Sequence, residues 1–146
     1  MKLLLQVLGA GLLVASVFCT DSQCQWTPND KKSDRHYDNS KKACDEAAKI
    51  LVRRGDVMKL TANEEKEVIG LLKLAISEAM LVEDSYLAKV HPLLPEKYDK
   101  EYIRGMSMLV EGLETDSSPL TLGGTYGYNE FATWSLANKD KMKFPK

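Results

Sequence analysis

The chain has 146 residues, a formal net charge of −1 and charged side chains at 28% of its positions. This is the length of one ordinary domain, and the balance of charge argues against a nucleic-acid-binding protein, which would carry a basic face. The same balance gives no support for electrostatic attachment to a membrane surface.

Residues 1–22 have the pattern of a secretory signal peptide. Lys2 precedes an uncharged apolar run from Leu3 to Phe18, which is short for a membrane span. We therefore predict export to a secreted or periplasmic location, without stable membrane insertion after cleavage. An uncleaved membrane anchor is the alternative. The cleavage site is ambiguous, because small residues suit cleavage at two places and Cys19 offers a lipid-attachment site.

Residues 23–42 form a polar segment in which Trp26 and Tyr37 are the only large apolar side chains. This composition predicts an irregular N-terminal arm. Removal of the signal peptide leaves Cys24 and Cys44, and an even pair of cysteines in an exported protein indicates a disulfide. We predict that a Cys24–Cys44 disulfide ties the arm down. Two free thiols are the alternative.

The helical domain is predicted to span residues 43–146. Its first helix is capped near residues 38–40 and has apolar residues at helical spacing from Ala43 to Leu51. Gly55 follows two arginines and is predicted to be a left-handed cap at the end of this helix.

The stretch from Leu60 to Val90 contains no proline and is predicted to be a long central helix. Thr61 and Glu64 have the spacing of a capping box at its start. Its apolar residues recur at three- and four-residue steps, which is typical of a buried helix face. The helix would be roughly 45 Å long, so the shorter helices should pack along it. The alternative is a break near Gly70 or Ser77.

A third helix is predicted to start near Pro95, because proline is well placed in a first turn. The inward side of this helix carries large apolar residues between positions 98 and 113. Gly105 and Gly112 lie on nearly the same face, which predicts close approach of a neighbouring helix. A groove that receives a ligand against this face is the alternative.

Residues 116–127 are predicted to form a loop, because their proline, serine and glycine content breaks any helical period. A last helix is predicted over residues 128–141. Tyrosine on a glycine-rich loop is a common contact residue at protein interfaces. The predicted binding residues are Tyr126, Tyr128, Gly123 and Gly124.

Catalytic and metal-binding patterns are weak in this chain. The only histidines, His36 and His91, lie in no metal-binding motif, so no metal and no cofactor are predicted. Glu83 lies on the apolar side of the predicted central helix. A partly buried carboxylate at that position would have a perturbed pKa and is the weak catalytic candidate.

The sequence therefore predicts an all-α fold: a small bundle of about four helices with a long central helix and an irregular, disulfide-tied N-terminal arm. The leading hypothesis is an exported, non-enzymatic interaction module, similar in character to periplasmic inhibitor or immunity proteins, whose partner is another protein. One alternative is a small carboxylate-dependent hydrolase that uses Glu83. The other is a carrier of an apolar ligand in a core cavity lined by Met80, Met106 and Leu109.

Overall fold

The computed structural model describes residues 25–55 and 60–145, so the predicted signal peptide and Cys24 lie outside the described ranges. Within these ranges the predicted all-α fold is confirmed. The helices are α1 (Pro28–Arg54), α2 (Ala62–Ala79), α3 (Asp84–Val90), α4 (Leu94–Lys97), α5 (Arg104–Glu114) and α6 (Ser118–Ala137). A π-helical segment (Tyr98–Ile103) joins α4 to α5 in one continuous rod, and a 3₁₀ turn (Lys139–Lys141) follows α6.

Helix α1 begins much earlier than predicted, so the predicted irregular arm is wrong over residues 28–42. Its start is a reciprocal capping box. The Asp30 N–H donates to the Thr27 hydroxyl at 3.1 Å, and the Thr27 N–H donates to the Asp30 carboxylate at 2.7 Å. Pro28 occupies the first turn, where its missing N–H has no cost. Helix α1 ends as predicted, with Gly55 in the left-handed conformation at φ 68°.

The buried side of α1 is built partly from small polar residues, which concealed its helical period. The Ser40 hydroxyl donates to the Ala75 carbonyl oxygen on α2 at 2.8 Å, and the Ser33 hydroxyl accepts the Glu83 N–H at 3.2 Å. Both serines are buried, and burial of a hydroxyl is tolerated when it is hydrogen-bonded. Helix α1 therefore packs on α2 through polar as well as apolar contacts.

The predicted Cys24–Cys44 disulfide is not supported. Cys44 is a free thiol, buried in the middle of α1. Cys24, the other member of the predicted pair, lies outside the described residues. The segment before Cys44 is held by helix packing instead.

The predicted single helix over residues 60–90 is wrong, although its capping box at Thr61 and Glu64 is confirmed. Helix α2 ends at Ala79, residues 80–83 turn the chain, and α3 starts a new direction. The turn is fixed by a tertiary contact, the hydrogen bond between the Glu83 N–H and Ser33 of α1. The longest of the described helices is consequently α1, and the break lies beyond both positions that the sequence suggested.

The long helices follow one another in an open series. Helix α1 packs along α2, α2 packs against α5, and α5 packs against α6. Helices α1 and α6, the two ends of this series, share almost no direct backbone contact. A bundle arranged in this way leaves a concave surface between its two outermost helices.

The closest helix pair is α5 with α6, and glycine makes this approach possible. A Cβ placed on Gly112 would lie 2.5 Å from the backbone nitrogen of Thr121, and one on Gly124 would lie 2.6 Å from the carbonyl oxygen of Gly105. The predicted close approach at Gly105 and Gly112 is therefore confirmed. The predicted loop over residues 116–127 is wrong, because packing of its glycines against α5 offsets their low helix propensity.

The Gly112→Ala variant should lose stability, because its methyl group would overlap the α6 backbone and overpacking costs about 1–3 kcal/mol. The matched control is Gly70→Ala on α2, where nothing lies within 4 Å of the added carbon. This control should gain about 0.5–1 kcal/mol from better helix propensity. Urea unfolding measures both effects, and equal changes in the two variants would contradict the close-packing account.

Candidate functional site

The concave surface between α1 and α6 is a groove of about 560 Å³, named here the α1/α6 groove. This volume lies in the range of ligand-binding clefts, about 300–1,000 Å³. Five of its thirteen lining residues are aromatic, and four are charged. It is lined by Tyr37, Asp38, Lys41, Asp45, Tyr102, Tyr128, Phe131, Ala132, Ser135, Leu136, Lys139, Met142 and Phe144.

The wall contributed by α1 follows the helical repeat. Tyr37, Lys41 and Asp45 are spaced by four residues, so they lie on one face, and Asp38 lies beside them. The Lys41 ammonium and the Asp45 carboxylate form an exposed ion pair at 2.7 Å. Exposed pairs of this kind contribute less than about 1 kcal/mol to stability, so they can separate at low cost when a ligand binds.

The wall contributed by α6 is more apolar. Tyr128, Phe131, Ala132, Ser135 and Leu136 have the spacing of one helix face. Phe131 is buried against the core, whereas Leu136 is 75% exposed at the edge of the groove. The exposed Leu136 side chain gives the groove an apolar edge. In the free protein this edge is in contact with water.

A series of stacked rings spans the space between α1 and α6, and all of these rings except Tyr98 line the groove. Tyr98 stacks on Tyr37 with ring centroids 5.5 Å apart, and on Tyr102 at 4.9 Å. Tyr102 in turn lies 4.8 Å from Phe131 of α6. Aromatic pairs at these distances contribute about 0.5–1.5 kcal/mol each beyond their buried area. The rings of Tyr37, Tyr98, Tyr102 and Phe131 are named here the aromatic stack.

The π-helical segment (Tyr98–Ile103) supplies the two central rings of the aromatic stack. A π turn holds more residues than an α turn and interrupts the regular side-chain spacing, and such turns are frequent at functional sites. Here it brings the rings of Tyr98 and Tyr102 nearly parallel, at an interplanar angle of 22°. The sequence carries no local signal for this turn.

Beneath the aromatic stack lies a small polar layer. The Ser40 hydroxyl uses its hydrogen on the Ala75 carbonyl, so the Tyr102 hydroxyl, 3.0 Å away, donates to Ser40. The Tyr98 hydroxyl is buried and has no hydrogen-bond partner among the described residues. An unpaired buried hydroxyl costs about 1–3 kcal/mol, so the position of Tyr98 is maintained by ring packing.

The phenol and thiol groups around the groove keep their protons near pH 7, whereas the acidic and lysine side chains at its edges are charged. Burial raises the pKa of Tyr37 to about 12, and the adjacent Asp38 carboxylate adds to the rise. Burial raises the pKa of the Cys44 thiol to about 11, and it also raises the pKa of Tyr102 and Tyr128. A thiolate or phenolate nucleophile therefore has no support here, since catalytic cysteines require a lowered pKa. The groove offers apolar surface and neutral hydroxyls.

The four predicted binding residues do not form one site. Tyr128 is half-buried and lines the α1/α6 groove, whereas Tyr126 is 69% exposed outside it. A Cβ on Gly123 would meet the Met108 side chain, and Gly124 is buried against α5. The two glycines thus serve helix packing, and only Tyr128 combines with the groove.

The structure differs from both alternative predictions, the catalytic Glu83 and the core cavity for an apolar ligand. Glu83 is exposed at the start of α3, where its carboxylate accepts from the Ser85 hydroxyl at 3.3 Å, so the predicted burial of this carboxylate is wrong. Met80 is 71% exposed, while Met106 and Leu109 are buried in the core. These three side chains do not line a common cavity in the described structure, which corrects the carrier hypothesis in its original form.

His36 belongs to the interface between α1 and α2. Its Nδ1 lies 2.7 Å from the Glu78 carboxylate, which also accepts from Asn39 at 3.2 Å. The hydrogen bonds from His36 and Asn39 lower the pKa of Glu78. Across residues 25–55 and 60–145, no group of three or more histidine, cysteine or acidic residues is arranged to hold a metal ion.

None of the helices within the described ranges is both long enough and apolar enough to cross a membrane.

No protein-family model matches the chain, and the comparisons with curated proteins and with solved structures found no similar protein. The chemistry of the α1/α6 groove is therefore the basis on which a function can be inferred.

The α1 wall was missed because residues 23–42 have a disordered composition. Two local signals point to it. Thr27 and Asp30 have capping-box spacing, and Tyr37, Lys41 and Asp45 repeat at four-residue steps. The α6 wall also follows a readable repeat. The two walls come together over the aromatic rings through contacts between segments that are far apart in the sequence. No local sequence pattern predicts such contacts.

Two tyrosine-to-phenylalanine variants should separate the roles of the floor hydroxyls. Tyr98→Phe removes an unpaired buried hydroxyl, so the free energy of unfolding should stay the same or rise. Tyr102→Phe removes the donor to Ser40 and should lower it by about 1 kcal/mol. Urea unfolding of both variants is the measurement. A larger loss for Tyr98→Phe than for Tyr102→Phe would contradict the hydrogen-bond assignment.

Alkaline pH should destabilise the fold through its buried tyrosines. Above pH 10 the unfolded chain loses phenol protons that the folded state keeps, because burial raises the pKa of Tyr37 to about 12 and shifts Tyr86, Tyr98, Tyr102 and Tyr128 upward. The unfolded state then binds fewer protons, so stability falls by about 1.4 kcal/mol per pH unit for each such tyrosine. Urea midpoints together with phenolate absorbance test this. Ionisation of these rings near pH 10 in the folded protein would contradict it.

Proposed function

We propose that this protein is a small, exported, non-catalytic binding module that holds an apolar segment of another protein in the α1/α6 groove. The observation that carries the proposal is the aromatic stack. Three of its rings, Tyr37, Tyr102 and Phe131, line a groove that stays open to solvent between two helices that do not close on each other. Export remains a proposal that rests on the apolar run within residues 1–22.

The shape of the groove favours a polypeptide segment. Helices α1 and α6 contain 27 and 20 residues, so they are about 40 and 30 Å long. A cleft between two such helices offers a linear surface, which matches the way peptide segments dock their apolar side chains into grooves. An open groove of this kind encloses a small molecule less completely than the usual ligand pocket does.

The composition of the groove also resembles that of a protein interface. Its centre is rich in tyrosine and phenylalanine, which dominate the binding energy at interfaces. Its edges carry Asp38, Lys41, Asp45 and Lys139, which would form the polar rim of the complex. Rim charges of both signs contribute more to orientation and association rate than to affinity.

A free apolar small molecule is the second candidate occupant, because the groove volume of about 560 Å³ is typical of ligand sites. Such a ligand would occupy the aromatic floor and leave the charged rim uncovered. This differs from the carrier hypothesis based on a core cavity, since the site lies between α1 and α6. The binding experiment below distinguishes the two occupants by the size of the captured molecule.

Blocking the groove should weaken binding while leaving the fold intact. Ala132 and Ala137 are both exposed on α6, but only Ala132 lines the groove, because five positions turn roughly 140° around a helix. We expect Ala132→Trp to weaken binding at least about ten-fold, or 1.4 kcal/mol, because its indole ring would occupy the floor. Ala137→Trp is the matched control and should change affinity less than about two-fold.

The measurement is affinity capture by the processed protein from secreted or periplasmic material, with mass spectrometry to identify the captured molecule and titration calorimetry to quantify it. A protein partner that is lost with Ala132→Trp and kept with Ala137→Trp supports the proposal. Circular dichroism must show equal folding of the two variants. Equal affinity of both variants for every captured partner would overturn the assignment of the groove.

A further inference from the structure

The segment that follows the 3₁₀ turn, residues 142–145, lies along the α1/α6 groove and is named here the tail. Met142 has an extended backbone with φ −79° and ψ 131°. The Phe144 ring packs on Tyr37 with centroids 5.5 Å apart and an interplanar angle of 43°. Met142 and Phe144 both line the groove, so the chain supplies part of the groove's apolar surface from its own tail.

The backbone of the tail is held by α3. The Lys143 N–H donates to the Val90 carbonyl oxygen at 3.0 Å. Val90 is the last residue of α3, and carbonyl groups at a helix end have no partner within the helix. In an extended chain, side chains two positions apart point the same way, so Met142 and Phe144 face the same side. The tail therefore presents two apolar anchors in the manner of a bound peptide.

The Phe144 side chain is only partly buried. Phe144 remains 40% exposed, whereas the Tyr37 ring that it covers is 8% exposed. A contact with this much remaining water exposure opens at low free-energy cost. Removal of the Phe144 ring would uncover the edge of the aromatic stack without disturbing its core.

The charges beside the tail are of both signs. Asp38 and Asp45 line the groove together with Lys41, whose ammonium pairs with the Asp45 carboxylate at 2.7 Å. In an extended chain Lys143 faces the side opposite to Met142 and Phe144. The apolar anchors of the tail therefore carry its fit to the groove.

We infer that the tail is a displaceable occupant of the Tyr37 side of the α1/α6 groove, whose remaining space stays open, and that the external partner binds through an extended segment of the same chemistry, which displaces the tail. This inference rests on the proposed function of the groove. The tail and the partner segment exclude each other, so the free protein binds more weakly than a protein whose tail cannot occupy the groove. The affinity is reduced by the fraction of molecules in which the tail is seated.

The test uses the full chain and a fluorescent synthetic peptide with the sequence of residues 141–145, followed by fluorescence anisotropy. The double variant Met142→Ala/Phe144→Ala should bind this peptide at least about ten-fold more tightly than the unmodified protein, because the internal competitor is lost. Lys141→Ala, a change outside the groove lining, is the control and should behave like the unmodified protein. A peptide with alanine in place of both anchors should not bind.

A second probe separates this inference from the function of the groove. The dye 1-anilinonaphthalene-8-sulfonate reports accessible apolar surface, and its binding to the double variant should fall when Ala132→Trp is added but not when Ala137→Trp is added. If the dye follows this pattern while the peptide does not bind, the inference about the tail is overturned and the proposed groove stands. If neither probe responds to Ala132→Trp, the proposed function is overturned as well.

Two further outcomes also decide the inference. Weaker binding of the peptide to the double variant than to the unmodified protein would show that Met142 and Phe144 are permanent walls of the site, which overturns the idea of a displaceable occupant. Light scattering that shows a dimer of the unmodified protein, and a monomer of the double variant, would indicate that the tail occupies the groove of a second copy. That result would overturn the intramolecular arrangement.

Discussion

Four aromatic rings hold α1 and α6 apart. Tyr98 and Tyr102 stack on each other, and the stack meets Tyr37 of α1 at one end and Phe131 of α6 at the other. Because these rings fill the depth of the space between the two helices, α1 and α6 cannot approach until their backbones touch. The small exposed parts of Tyr37, Tyr102 and Phe131, between 4% and 8% of each residue, line the groove. The buried, unpaired Tyr98 hydroxyl is a cost that this arrangement carries.

The position of α6 depends on a second constraint, which is the lack of a side chain at the glycines where α5 and α6 meet. Gly105 and Gly112 on one helix and Gly124 on the other allow backbone contact along their length. With α6 fixed to α5 in this way, it cannot move toward α1 to close the bundle. One helix pair is therefore very close and the other is open, and this asymmetry creates a binding surface on so small a domain.

The sequence predicted those features that depend on neighbouring residues. The capping box at Thr61 and Glu64, the left-handed Gly55 and the close approach at Gly105 and Gly112 are examples. The failures share a physical cause, since in each of them a contact between distant segments overrides local preference. Buried serines paired with other helices made a polar segment helical, a hydrogen bond from Glu83 to Ser33 ended α2, and packing against α5 made a glycine-rich stretch helical.

The groove follows from the same kind of distant contact, so its residues were only partly predictable. Tyr128 was identified, whereas the aromatic stack was not identified as one cluster. The most direct test of this account is an isotope-edited NOESY spectrum of the free protein. We predict cross-peaks from the Tyr98 ring to Tyr37 on one side and to Tyr102 on the other, and from Tyr102 to Phe131. Rings of Tyr98 and Tyr102 that show no contact with either α1 or α6 would contradict the account.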